Sequence, residues 1–227
     1  FVGDVGRPDL LERAASVQGS MVSAAKELYA SLTRLRARPD WLQLWPGHGA
    51  GSACGKSLGA MPQSTLGYER LVNPAFQQQT ASAFVDWVLA DQREPPRYFA
   101  TMKRLNRDGA PAQPPRDSFR QMDASAVESA LDKDHWVVDV RGAVDFAQMH
   151  VPGTINIPAS KSLPTYAGTV LTYDKPITII AKTRDHAQAV IAQLALIGMD
   201  NIAGFATLDV LQQIRNAGRR LASVRTI

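Results

Sequence analysis

Few side chains in this sequence could do nucleophilic or metal chemistry, and they are scattered. There is one cysteine, Cys54, and there are four histidines in all. A single cysteine excludes an internal disulfide and any multi-cysteine zinc site. His48 opens a Gly-rich loop, His48-Gly49-Ala50-Gly51-Ser52, directly after Trp45-Pro46-Gly47. Alone it makes no metal centre, which needs three or more protein ligands at fixed geometry. A second concentration of polar groups is Ala181-Lys182-Thr183-Arg184-Asp185-His186, between an apolar run and a helical pattern. A helix N-terminus flanked by Lys182, Arg184 and His186 is an arrangement that can hold an anion. The competing reading is a solvated loop on a domain kept for packing. Asp139 and Arg141 close the run Trp136–Val140 and read as a structural ion pair rather than as catalysts. His150, before Val151-Pro152-Gly153, reads as a turn residue bonded to backbone.

The elements that must position these groups fall into two series. After Pro8, Leu11, Ala14, Val17, Met21, Ala24 or Ala25, Leu28, Leu32 and Leu35 recur every three or four residues, which predicts one long amphipathic helix ending near Pro39. The apolar run Trp41–Trp45 predicts a buried strand stopping at Pro46-Gly47. Asn73-Pro74 predicts a helix start, with Asn as cap and Pro in the first turn. Glu94 to Asp117, punctuated by Pro95-Pro96, Gly109, Pro111 and Pro114-Pro115, is expected not to sustain a helix. Beyond it β and α signals alternate: strand 136–140, helix 143–149, strand 154–157, strand 177–181, helix 184–197, strand 201–203 and helix 207–217. Such alternation predicts a mainly parallel sheet covered by helices. The expected organisation is a first domain over 1–108, a linker over 109–117, a second domain over 118–222 and a tail over 223–227.

Composition narrows the function classes. The chain has 227 residues, 45% of them hydrophobic and 20% charged, enough for two ordinary domains. No apolar run approaches the roughly 20 residues needed to span a bilayer, and nothing at the N-terminus has the layout of a signal peptide, so a cytoplasmic protein with no membrane partner is expected. The net charge of +4 and pI near 9.4 do not amount to a nucleic-acid surface. The basic residues are dispersed among acidic ones, with no aromatic-interleaved basic motif.

Three stretches in the second half carry a specific pattern: Val137-Val138-Asp139-Val140-Arg141; His150-Val151-Pro152-Gly153-Thr154-Ile155-Asn156-Ile157-Pro158; and the strand, six-residue turn and helix at 177–190, followed by Leu196-Ile197-Gly198-Met199-Asp200-Asn201-Ile202. In order and spacing they resemble the rhodanese family over roughly residues 117–222. The resemblance implies a domain that carries a persulfide on a cysteine at the C-terminal end of the central strand. There the backbone N–H groups of the turn and helix N-terminus stabilise thiolate and sulfur anion. In this sequence that position is Ala181, Arg184 replaces the usual glycine, and His186 stands where the family usually has an arginine. No residue from Ala181 to His186 is a thiol, so cysteine-based sulfur transfer by this domain is not expected.

Gly3-Asp4-Val5-Gly6-Arg7-Pro8-Asp9-Leu10 and Trp45 to Lys56, with Thr65 to Asn73 and Pro95 to Asn106 after them, resemble the C-terminal part of a metallo-β-lactamase αββα fold, most of all the persulfide dioxygenase-like members fused to rhodanese domains. The resemblance implies an α/β protein whose intact parent oxidises a glutathione-type persulfide or other small thiol at one Fe(II), with Zn as the alternative metal. The family's His-x-His-x-Asp-His run is not in this sequence. His48 matches a strand-end histidine, beside the metal or at a second-metal position, and is as readily structural. Arg7 and Asp9 match a turn next to the metal pocket that orients ligands or binds substrate carboxylates, with a turn-stabilising ion pair as the equal alternative. Cys54 with Lys56 could line a thiol-substrate pocket, although a lone loop cysteine is more often just a small side chain.

The resemblance makes the chain a fragment at both ends: Phe1 is no initiator Met, and Leu221–Ile227 reads as the approach to another domain. By itself it is expected to be inactive and to hold no cofactor, the rhodanese-like part being a scaffold or docking surface. A non-catalytic anion- or partner-binding module and a parent of glyoxalase II type that hydrolyses thioesters are the alternatives, since fold does not dictate reaction. Half a metallo-β-lactamase fold leaves a sheet edge that pairing into a homodimer would cover.

Overall fold

The computed structural model describes residues 12, 18–47, 61–92, 95–115 and 118–224. The chain divides into two compact units, Phe1–Pro95 and Pro96–Ile227.

In the first unit, helix α1 (Ser20–Arg36) follows Gly19, whose φ of 73° is left-handed. The helix therefore starts at Ser20 rather than running unbroken from Leu11, because a left-handed residue breaks the ladder of hydrogen bonds. Strand β1 (Gln43–Leu44) pairs antiparallel with β2 (Ser64–Thr65). The expected buried strand over 41–45 is thus shorter and one-sided. Leu44 is buried, whereas Trp41 and Trp45 are 76% and 70% exposed. Side chains alternate across a strand, so Leu42 and Leu44 face the core while Trp41, Gln43 and Trp45 take the other side.

Thr65 caps α2 (Leu66–Val72), Asn73 caps α3 (Pro74–Gln77) with Pro in its first turn, as its sequence predicts, and Thr80 caps α4 (Ala81–Leu89). The core joins Ala25 and Leu32 of α1 to Phe84, Val85 and Val88 of α4, with Leu66 and Phe76. Two arginines tie the ends together. Arg36 donates to the carbonyls of Phe76 and Gln78, each at 2.8 Å, and Arg70 donates to Asp40 and to the carbonyls of Arg36 and Arg38 at the end of α1. Charge-assisted donors at a helix C-terminus satisfy carbonyls that the helix itself leaves open.

The second unit begins with α5 (Tyr98–Asp108), inside the segment expected to hold no helix. Its prolines lie just outside the helix, at 95–96 and from 111 onward, and the eleven residues between are free of Pro and Gly. Tyr98 and Met102 pack on the core of this unit, so the boundary falls at 95–96 and not at 108–117. Then come α6 (Ala124–Asp132), β3 (Trp136–Asp139), α7 (Ala143–Gln148), β4 (Ile155–Asn156), α8 (Leu163–Val170), β5 (Ile177–Ile180), α9 (Arg184–Ala195), β6 (Ile202–Ala206) and α10 (Asp209–Asn216). Helices α6 and α8 are not among the elements expected from the sequence, and β6 runs further than the strand expected at 201–203.

The sheet is parallel in the order β4-β3-β5-β6, with a further parallel bridge from Gln121 to Phe205 at the β6 edge. Alternation sorts its residues onto two faces. Val138, Val140, Ile177 and Ile179 join Leu163, Ala187, Val190 and Leu194 of α8 and α9. Val137 and Ile180 join Val127 of α6 and Val210, Leu211 and Ile214 of α10. Among the described residues no helix is long and apolar enough to cross a membrane.

Helix α5 docks where two glycines let it approach. A Cβ on Gly168 would lie 2.5 Å from Tyr98 Cδ1, and one on Gly198, at φ +71°, would lie 2.3 Å from Leu105 Cδ1. Alanine in place of a mid-helix glycine normally stabilises by about 1 kcal/mol. At Gly168 the collision with a ring wins, and Gly168→Ala is expected to destabilise by about 1–3 kcal/mol. Urea unfolding should show a lower midpoint, and Tyr98→Ala should relieve part of the loss in the double variant. Equal losses with and without Tyr98 would place the strain elsewhere.

Candidate functional site

The carboxyl ends of β3 and β5 meet at one edge of the sheet, where ligands of parallel α/β domains usually bind. Asp139 ends β3 and is fully buried, and Arg141 beside it is 4% exposed. Arg141 donates through Nε to both carboxylate oxygens, at 2.9 and 3.0 Å, and through Nη2 to Oδ2 at 2.6 Å and to the Met149 carbonyl at 2.7 Å. Its backbone N–H also donates to Asp139 Oδ1. Asn156 on β4 donates to the carbonyls of Asp139 and Arg141. The pair holds the β3 exit to the turn before β4, the structural role its sequence position suggests. His150 likewise shares a 2.8 Å hydrogen bond between Nδ1 and the Phe146 carbonyl, and its ring stacks on Phe146 at 3.9 Å.

Ala181 follows β5 directly. Its N–H donates to the Ala206 carbonyl, and its methyl group is fully buried in the core. Four buried residues in succession, Ile177–Ile180, carry the chain out to this point, and Thr183 turns it into α9 by accepting from the His186 N–H at 3.2 Å. The loop between is closed on itself. Lys182 N–H donates to His186 Nδ1 at 3.4 Å, and Ala187 N–H donates to the Thr183 carbonyl. The histidine ring thus stands against the Lys182 amide, and the guanidinium of Arg184 lies over the Phe205 ring at 5.3 Å. Of the loop's charged groups, Lys182 reaches across to Asp145 on α7, Nζ to Oδ2 at 2.9 Å. Arg141, Asp145, Gln148, Met149, Lys182 and Leu208 line a cleft of about 340 Å³ there.

Asp145 is the residue that reasoning from sequence missed. Its lysine lies on a separate strand-to-helix turn, and no local spacing signals such a pair. The hydrogen bond from Lys182, then its positive charge, hold the Asp145 carboxyl below the ordinary carboxylate value.

Arg7, Asp9, His48, Cys54 and Lys56, the candidate binding and metal-side residues of the first unit, lie outside the described residues. Among the described residues no three His, Cys, Asp or Glu side chains converge on a point that could hold a metal ion. They do not supply a ligand set for the iron that the resemblance implies.

Residues 123–208 match the protein family described as the Rhodanese-like domain. The second unit therefore contains a rhodanese-like domain. No curated protein matches the chain. Among solved structures, the crystal structure of a metallo-beta-lactamase from Staphylococcus aureus is 40% identical with a TM-score of 0.67, covering 91% of this chain and 57% of that one. The chain thus spans 57% of the length of that relative. A rhodanese-related protein from Thermoplasma volcanium is 22% identical over 46% of this chain and 98% of its own, with a TM-score of 0.37. A thiosulfate sulfurtransferase from Pseudomonas aeruginosa is 18% identical over 48% and 21%, with a TM-score of 0.38. The protein is mixed α/β, with metallo-beta-lactamase and rhodanese-like structural neighbours, and the rhodanese-like domain carries alanine at its strand end.

Two outcomes follow from the geometry. Asp139→Asn leaves the buried Arg141 guanidinium without a counter-charge and is expected to cost about 3–5 kcal/mol, read as a lower urea midpoint. Because the Asp145 carboxyl is depressed, the contribution of its pair with Lys182 is present above the carboxyl's unfolded pKa and is lost as pH falls through the folded one. Lys182→Met should raise the Asp145 pKa toward its ordinary value in a carbonyl NMR titration. An unchanged titration would assign the depression to another cause.

Proposed function

We propose that this chain is part of a sulfur-metabolism fusion protein in which the rhodanese-like domain does no cysteine-based sulfur transfer and serves as scaffold or docking surface. The observation that carries the reading is Ala181. It stands, buried, at the end of the central strand, the place where a nucleophile would meet the amides of the following turn. Sulfane-sulfur transfer needs a thiolate that forms a new S–S bond while the donor's S–S bond breaks, returning its electron pair to the donor. A methyl group can do neither. The Asp139–Arg141 pair, the Thr183 cap and the Lys182–Asp145 bridge then act as structure, holding strand end, turn and α7 in register.

For the parent we propose oxidation of a glutathione-type persulfide at a non-haem iron, with Arg7, Asp9, Cys54 and Lys56 lining the thiol site. In the parent such a metal would supply dioxygen activation and a site for the substrate sulfur. The likeness to a metallo-beta-lactamase over 91% of the chain together with the rhodanese-like match supports the fusion.

The purified chain is expected to form no thiocyanate from thiosulfate and cyanide above the buffer rate, before or after iodoacetamide treatment. Turnover that alkylation of Cys54 abolishes would overturn the reading by naming another nucleophile. In the full-length protein, one iron per chain and oxygen uptake with glutathione persulfide are expected. Two zinc ions per chain with thioester hydrolysis would replace the dioxygenase by a hydrolase.

A further inference from the structure

Helix α7 is held differently from the other helices of its unit that flank the sheet. None of its six residues is buried, and no side chain caps its N-terminus. Val144 on it is 70% exposed. What fixes it is a set of polar and backbone contacts at its C-terminal end, next to Met149 and Leu221, which pack against the core. Ala222 and His150 exchange two backbone hydrogen bonds, at 2.9 and 3.0 Å, and Val224 N–H donates to the Ala147 carbonyl at 2.8 Å. Arg141 holds the Met149 carbonyl, and Arg215 Nη2 lies 2.7 Å from Met149 Sδ. At its other end α7 delivers Asp145 to Lys182, on the turn that follows Ala181. Asp145, Gln148 and Met149, which line the cleft named above, belong to α7 or are the residue after it.

From this arrangement we infer that residues 221–224 form a strap that controls α7 as a lid over the strand-end cleft. With the strap paired, α7 lies against the loop and the Asp145–Lys182 bridge closes across the cleft. With the strap released, the helix loses the partners of Ala147 and His150 and has no buried side chain to keep it in place. Elements of this kind open at low free energy, below that of the sheet they rest on. Two groups of contacts then share one moving element, so strap pairing and bridge formation are coupled, and the coupling is reciprocal. The other charge acting on Asp145 is that of Arg141, already satisfied by Asp139. The device belongs to the rhodanese-like unit by itself and does not depend on what the parent oxidises. Loss of the sulfur reading would leave it standing.

Hydrogen exchange on the full chain, with and without two substitutions, tests it. Ala222→Pro removes the N–H that donates to the His150 carbonyl. It should speed exchange of the amides in 143–150 about fivefold or more, leaving those of β3 and β5 unchanged. Lys182→Met breaks only the bridge, at an exposed site remote in sequence from the strap. By reciprocity it should speed exchange of the Ala222 and Val224 amides by about two- to fivefold, the range open to an exposed ion pair. Strap amides that stay protected in Lys182→Met would overturn the proposal. So would an α7 that exchanges at its original rate once Ala222→Pro has released the strap. Should Ala222→Pro unfold the unit, the Lys182→Met experiment decides alone.

Discussion

Strand β5 carries the second unit. Each of its four residues is buried, it pairs with β3 on one side and β6 on the other, and its alternate side chains feed the cores on both faces of the sheet. A strand with both edges paired and both faces covered has no freedom to slip, because a shift of one residue would exchange the two cores. The end of β5 is for that reason a fixed point, and whatever stands at Ala181 is held there to within the precision of the sheet. The same rigidity that would aim a nucleophile now aims a methyl group.

Around this fixed point the polar contacts are graded by burial. Asp139 and Arg141 are enclosed and fully engaged with one another, so they act as part of the frame. A buried pair of this kind is costly to break, yet it adds little beyond what a well-packed apolar pair would give, and its value here lies in setting the path from β3 to β4. Lys182 and Asp145 are half exposed, screened by water and salt, and join elements that share no core. Rigid frame and loosely held α7 thus sit within a few residues of each other, and the cleft lies between them.

The first unit shows the same logic with different means. Its two short strands contribute little area, and its core is made instead by α1 against α4, with the Tyr29, Phe84 and Trp87 rings in succession at 5.5 and 5.7 Å. Arg36 and Arg70 close the ends by donating to backbone carbonyls at and just beyond the helix C-termini. The exposed Trp41 and Trp45 lie on the opposite side of the strand from Leu44, an apolar surface that the residues of this core do not reach.

Much of this could be read from residue order. The βα alternation after residue 118, the capping residue Asn73, and the pairing of Asp139 with Arg141 are local signals, and local physics produces them: period, cap chemistry and two charges two residues apart. So is the absence of a thiol at Ala181, which no fold can supply. Tertiary structure decided the rest. Proline density hid α5, because prolines mark where a helix ends but are silent about the stretch between them, and only Gly168 and Gly198 on distant elements show where that helix docks. The run Trp41–Trp45 looked buried because apolarity is readable while the number of covered faces is not. Asp145 was invisible as a partner of Lys182, and 221–224 as a strap on α7, because contacts between residues remote in sequence exist only once the sheet has brought their elements together.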